Sequence, residues 1–344
     1  MTTTSVDTTS TQSTETSRFA LGYRTFMSRH ASMVPTFAAM AILIVLFIGA
    51  EAFLRGDFIT ARNISALLLD NAYLLILAVG MTFVIVTAGI DLAVGSVMAF
   101  AGIWLASLIA SGTPAYLAIP IILVGGALIG LLTGVLVHYF DVQPFIASLA
   151  GLFLGRGLAF VVSLSSIRVD DPMIPFFQSR IRLGEWYITP TGIIALIVVI
   201  VGALVMQLTR FGRTIYAIGG SEQSARLMGL NVASTKIAVY VISGFCAGLA
   251  GLVLTAYSGA AYPRYGIGTE LDAIAAVVIG GTLLTGGRGY VLGSMVGVFV
   301  YGTINTIIGF MGAEQSWTRI IIGLLLLLFI LVQRFIVGRT ERRT

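Results

Sequence analysis

Between Ala78 and Phe100 the chain reads AVGMTFVIVTAGIDLAVGSVMAF, an apolar run of membrane length broken by one carboxylate, Asp91, between Gly89 and Gly95. Lipid penalises an unpaired acid and an irregular backbone, so both persist only where protein or a water-filled cavity surrounds them. The turn therefore points to a solute pathway or a subunit contact, and away from a simple anchor.

The remainder of the chain has the same character. Of 344 residues, 57% are apolar and 10% are charged, where a soluble domain carries about 25% charged residues. One polytopic membrane unit is expected, not two soluble domains. The net charge of +5 does not argue for nucleic acid, because basic residues of membrane proteins collect on cytoplasmic loops. Cys246 is the only cysteine, so no intrachain disulfide can form. Residues 1–17 are Ser/Thr-rich without an apolar run; they read as a disordered cytoplasmic tail within a 1–33 approach to the membrane.

A spanning helix needs about 20 largely apolar residues. The hydropathy predicts about ten, over 34–53, 64–88, 92–111, 115–138, 144–164, 191–208, 236–257, 271–286, 290–311 and 317–336, with the second and third open to being one broken unit. The expected architecture is an all-α polytopic bundle over 34–336, followed by a short cytoplasmic tail over 337–344. An even count places both termini on one side. Placing them inside leaves twelve basic residues in inner segments, seven in outer ones and Arg156 within a span, which favours cytoplasmic termini.

Forty glycines are present, and several recur at helical spacing: Gly126, Gly130 and Gly134; Gly151 and Gly155; Gly244 and Gly248; Gly289, Gly293 and Gly297. Small residues four apart let helices approach closely in lipid. They serve either packing within one subunit or a seam between two. The Gly-x5-Gly-Ser spacing of Gly89 to Ser96 returns at Gly287 to Ser294, which is either a repeat or coincidence.

Two loops are long. The outer one, 165–190, carries Asp170, Asp171, Pro172 and Pro175, with a possible strand from Ile181 to Trp186. In the inner one, 209–235, Gly219 and Gly220 permit a sharp turn and Ser221 suits an N-cap. Glu222 to Leu230 then reads as a short amphipathic helix, with Glu222 in its first turn. Ser224 follows, Ala225, Leu227 and Met228 are apolar beside Arg226, and Gly229 stands where a helix stops. This segment is either a helix lying on the bundle or a knob for a groove on a soluble partner.

The run YAIGGSEQSARLMGLNVASTKIAVYVISG resembles the coupling segment of permease subunits of bacterial sugar ATP-binding-cassette importers, in the ribose/xylose/galactose branch. GMTFVIVTAGIDLAVGS resembles their signature hairpin, with Ala93 where the family usually has serine. ELDAIAAVVIGGTLLTGGRG, from Glu270 to Gly289, resembles a third block. The resemblance covers about residues 35–336. Asp70-Asn71-Ala72, Leu227-Met228-Gly229 and Ser316-Trp317-Thr318 are most similar to galactofuranose importer permeases. The resemblance implies a type II-like fold in the bacterial inner membrane and a dimer with a second permease subunit. It also implies a cytoplasmic ATPase that docks on the coupling helix and binds ATP in place of this chain, and an extracytoplasmic binding protein that delivers the sugar.

No chemistry of its own is expected. A P-loop needs Gly-Lys-Ser/Thr, whereas the single lysine, Lys236, follows Ser234 and Thr235. His30 and His138 make no zinc motif, and no cofactor or nucleic acid is expected. Ionisable residues inside spans are functional candidates. Asp70 and Arg156 lie about 9 and 12 Å below the outer ends of their spans, at about 1.5 Å per residue, which suggests a pair. Asp91 either caps the helix after it, lines an inner gate or bonds a partner subunit. Asn71 and Asn305 are amides of the kind that line sugar paths. Glu270 and Asp272 open the eighth span, as helix-dipole acids or contacts for a binding protein. The expected mechanism is alternating access, with 209–235 passing motion into 191–208 and 236–257. The rivals are a branched-chain amino-acid permease and an ion-gradient transporter.

Overall fold

The computed structural model describes residues 34–53, 56, 58–312, 314 and 316–341. The expected N-terminal tail and residues 342–344 lie outside them. The described residues form fourteen helices and four short strands. Helices α1 (Val34–Phe53), α2 (Ala61–Asp70), α3 (Ala72–Val86), α4 (Val94–Ala110), α5 (Ala115–Tyr139) and α6 (Pro144–Val162) come first. Strand β1 (Ile167–Arg168), helix α7 (Met173–Gln178) and strands β2 (Ile181–Leu183) and β3 (Trp186–Ile188) fill the long loop at 165–190. Then come α8 (Pro190–Leu208), α9 (Arg210–Gly220), α10 (Glu222–Leu227) and α11 (Val232–Ser258). Strand β4 (Ala260–Ala261) and helices α12 (Thr269–Ile279), α13 (Val291–Phe310) and α14 (Ser316–Glu341) close the chain. β1 pairs with β4, and β2 with β3, both antiparallel.

Every expected span contains a helix. Among the described residues, six helices are long and apolar enough to cross a membrane, or seven if α2 and α3, bent by 53°, form one span. α4 and Ser316–Leu331 of α14 are shorter apolar stretches. α12 has 11 residues, about half a bilayer core at ~1.5 Å per residue. Hydropathy counts 280–286 as apolar, yet Gly281 and Gly286 take φ of +99° and +84°, which ends the helix. The bend before α3 falls at Asn71, whose Nδ2 donates to the Leu67 carbonyl at 2.8 Å. The last helix continues through Glu341, beyond the 336 boundary.

α3 is apolar all round and therefore central; every residue from Leu74 to Val86 in it is buried. α11 lies beside it, against α4 and α5 as well. Glycines make these contacts close: a Cβ on Gly126 would overlap the Gly244 carbonyl, one on Gly130 the Tyr240 carbonyl, and one on Gly155 would sit 2.7 Å from Ser96 Oγ. Gly293 and Gly297 likewise abut α12. These glycine faces are filled within one chain, so they do not supply a seam between subunits.

The helices give the bundle two ends. α8 runs from Thr189 near the β2–β3 hairpin to Leu208 beside α9 and α10. The turns at 87–93 and 280–290 reach the α9–α10 end, where the Gly287 amide donates to the Val86 carbonyl at 2.9 Å. The α2–α3 bend and the start of α14 lie toward the other end.

Candidate functional site

At one end stands the helix pair α9–α10. Thr209 starts α9, its Oγ1 accepting from the Gly212 amide at 3.1 Å, and Gly212, Ile215 and Ile218 face inward. Residues 210–220 are thus helical. Gly219 and Gly220 belong to that helix, and the sharp turn comes at Ser221. Ser221 Oγ accepts from the Ser224 amide at 3.2 Å, the expected cap. α10 ends at Leu227, three residues before the expected Leu230, and Gly229 turns the chain with φ of +75°.

Ala225 seals α10 onto a small core with Ile218 and Val232. Glu222 accepts from Arg226 at 2.6 Å and from Lys236, on α11, at 2.9 Å. Burial raises its carboxyl, but the hydrogen bonds and charges of Lys236 and Arg226 outweigh this and hold it below the ordinary glutamate value. Such partly exposed pairs contribute about 0.2–1 kcal/mol each, so they set geometry more than stability. Leu227 and Met228 are 83% and 66% exposed. A capped helix therefore presents two uncovered apolar side chains, with Arg226 beside them.

The glycines of α9 serve close approach. A Cβ on Gly219 would overlap the Val86 carbonyl and the Gly287 amide, whereas one on Gly220 would meet nothing within 4 Å. A Cβ on Gly286 would come 2.8 Å from the Ala88 amide and 3.0 Å from the Gly219 carbonyl. Ala88 itself adopts left-handed backbone, φ 60°, and Tyr216 donates to the Gly289 carbonyl at 2.6 Å. The end of α9 is thus in backbone contact with both turns that carry the Gly-x5-Gly-Ser spacing.

At the other end a cavity of about 500 Å³ is lined by Asp70, Asn71, Tyr73, Tyr257, Asn305 and Thr318, among others. Asp70 accepts from the Tyr257 hydroxyl at 3.0 Å, and Asn305 Oδ1 from Thr318 at 3.1 Å. Three of the five expected pathway residues, Asp70, Asn71 and Asn305, are brought together here. Tyr73, Tyr257 and Thr318 join them unannounced, because apolar windows absorb lone tyrosines and threonines without a signal.

The other two pathway candidates lie elsewhere. Arg156 does not pair with Asp70: it donates to the carbonyls of Pro263 and Tyr265 at 2.6 and 2.8 Å. Equal depth in two spans says nothing about azimuth, and α6 packs on α4 and α5 instead of α2. Asp91 is 2% exposed, accepting from the Ala93 amide at 3.0 Å and from Ser243 at 2.7 Å. It caps the turn before α4 and ties that turn to α11. The chain at 259–268 folds back into the bundle, so Glu270 turns inward against Gly95, not outward toward a delivering protein. Asp272 is hydrogen-bonded by Tyr301. Among the described residues no three of His, Cys, Asp and Glu converge as metal ligands do.

Comparison with known proteins places these features in context. A family model described as "Branched-chain amino acid transport system / permease component" matches residues 63–330. The fructose import permease protein FruG of Bifidobacterium longum is 44% identical over 314 residues, 89% of this chain and 92% of its own. The inner membrane ABC transporter permease protein YjfF of Escherichia coli is 46% identical over 290 residues, 83% and 88% of the two chains. The ribose import permease protein RbsC of Haemophilus influenzae is 36% identical over 329 residues, 94% and 97% of the two. No solved structure gives a significant match.

Proposed function

We propose a function from one premise: this chain belongs to the branched-chain amino acid transport system / permease component family. It is the membrane subunit of an ATP-binding-cassette importer in the bacterial cytoplasmic membrane, and its cargo is a monosaccharide. The relatives named for fructose and ribose support a sugar over a branched-chain amino acid, despite the family's description. Galactofuranose is one candidate within that class.

The observation that carries the reading is α10, a capped helix with Leu227 and Met228 uncovered at the end of a membrane bundle. A soluble ATPase, which binds the ATP, docks there, so that end is cytoplasmic and both termini lie on that side. When ATP closes the partner's nucleotide-binding domains, α10 moves. Glu222 links it to α11 through Lys236. The Gly219 junction links α9 to the turns at 87–93 and 280–290, a more direct route into the bundle than through α8 and α11 alone. The path between this chain and a second permease subunit then alternates its access. A binding protein on the other side delivers the sugar, and Asp70, Asn71 and Asn305 offer hydroxyl-binding groups along its way. Asp91 and Arg156 act as structural ties.

The test is a pull-down of the tagged chain from native membranes in mild detergent, followed by mass spectrometry. A stoichiometric ATPase is expected, and a second permease in the same band marks a heteromeric pair. A clean homo-oligomer without ATPase after crosslinking would overturn the assignment in favour of ion-gradient transport, which leaves α10 without a role. Uptake of D-ribose, D-fructose and galactofuranose, competed with leucine, then separates the cargo classes.

A further inference from the structure

Beside the Gly219 junction a second cavity opens, of about 390 Å³. Arg213 of α9 and Arg288 of the 280–290 turn line it, with Met206 and Gln207 from the end of α8 and with Tyr216 and Tyr290. Both arginines are exposed. Among the described residues neither is ion-paired, since the carboxylate contacts formed there belong to Glu222. Arg213 has one long contact, 3.4 Å, to the Leu208 carbonyl. Two cations that share a cavity repel unless an anion lies between them. Guanidinium forks match phosphate oxygens two at a time.

The position of the cavity indicates which anion arrives. Ile197, Ile200, Val201, Leu204 and Leu208 of α8 are all exposed, and their spacing makes one continuous apolar stripe along a membrane-length helix. That stripe runs along a helix long and apolar enough to cross a membrane and ends at Leu208, next to Gln207 of the cavity wall. The arginines therefore stand at the level where acyl chains give way to headgroups, and tyrosines are common at that level. Basic pockets between spanning helices hold anionic headgroups in this way.

We propose that this cavity binds a phosphate-bearing anion, and that in the membrane this is the headgroup of an anionic phospholipid. Such binding requires only that the chain spans a bilayer; it does not depend on the cargo or on the ATPase. It does have a mechanical corollary. Tyr216 lines the cavity and also bonds Gly289, so an occupant bears on how firmly α9 is held to the 280–290 turn.

The experiment is native mass spectrometry of the full chain in detergent with added phosphatidylglycerol or phosphatidylcholine, compared with Arg213→Gln/Arg288→Gln. These substitutions are at exposed positions, and size-exclusion profiles check that the fold survives them. The parent is expected to retain phosphatidylglycerol at least threefold more strongly than the double variant, with phosphatidylcholine retained equally by both. Equal phosphatidylglycerol retention overturns the proposal. Displacement by millimolar inorganic phosphate would overturn the lipid assignment and make free phosphate the occupant. Loss of a co-purifying ATPase in the double variant, with lipid retention unchanged, would overturn it in favour of acidic residues on that partner.

Discussion

The hydroxyl of Ser243, midway along α11, donates to Oδ2 of Asp91 at 2.7 Å, joining positions 152 apart in the chain. The second carboxylate oxygen takes the Ala93 amide. A buried acid is tolerable only when its oxygens are satisfied, and here one side-chain hydroxyl and one backbone amide meet that need. The polar residue that interrupts the apolar run thereby pins the 87–93 turn to the centre of the bundle.

Ser243→Ala removes one of those two donors and leaves a buried carboxylate oxygen open. A loss of about 1–3 kcal/mol is expected, read as a lower thermal midpoint in detergent. Thr82→Ala is the comparison. It breaks the 2.7 Å contact between Thr82 and Ser294, a neutral pair of the kind that averages about 0.6 kcal/mol in membranes. Equal losses from the two substitutions would contradict the special cost of the acid.

Gly219→Ala and Gly220→Ala place the same methyl on adjacent residues of one helix. The first meets the backbone of Val86 and Gly287, the second open space. Backbone cannot rotate aside, so overpacking of about 1–3 kcal/mol is expected at Gly219, together with loss of uptake. Gly220→Ala is expected to transport normally. Uptake in proteoliposomes containing the ATPase measures both.

Charge reversal at Glu222, as Glu222→Lys, sets three cations together where an acid now accepts from Arg226 and Lys236. Sugar-stimulated ATP hydrolysis is expected to uncouple from uptake. Normal coupling in that variant would remove α10 from the mechanism.

Glu222 also makes a prediction about pH. Its carboxyl sits below the ordinary glutamate value of 4.5 in the folded chain. A depressed carboxylate stabilises the fold above its unfolded value, and that stabilisation is lost as pH falls through the folded one. The thermal midpoints of the parent and Glu222→Gln are expected to differ at pH 7 and to converge as the pH falls through the depressed folded value, below the ordinary glutamate range. The gap will be small, because exposed pairs are screened.

Asn305→Ala and Asp70→Asn remove hydrogen-bonding groups from the 500 Å³ cavity. Each is expected to raise the KM for uptake about five- to tenfold, the ratio that ~1–1.4 kcal/mol gives. Basal ATP hydrolysis stays unchanged. A change in kcat alone would place these residues outside the sugar path.

Helix existence is legible in the sequence because apolar runs in lipid leave few alternatives, and boundaries such as Val34–Phe53 and Pro190–Leu208 agree closely with expectation. The α10 cap is legible for a local reason: Ser221, Glu222 and Gly229 each act within a turn of their own position. Where expectation and structure part, the deciding contact is distant in sequence. Asp70 finds Tyr257, and Arg156 finds Pro263 and Tyr265, partners that depth along a helix cannot reveal. α9 reads as loop because its glycine pair signals a turn; the Val86 and Gly287 backbones that require a glycine at 219 lie far along the chain. α12 reads as a span because glycine scores as apolar, although its freedom at positive φ is what ends the helix.

At Gly219 itself α9 meets the Val86 and Gly287 backbones through main-chain atoms, so no rotamer stands at that contact. A side chain placed there would yield by rotating about its χ angles and dissipate part of any displacement as slack. Peptide planes pressed together have almost no such compliance. The missing methyl therefore makes this a stiff contact on the route from the α10 surface into the bundle.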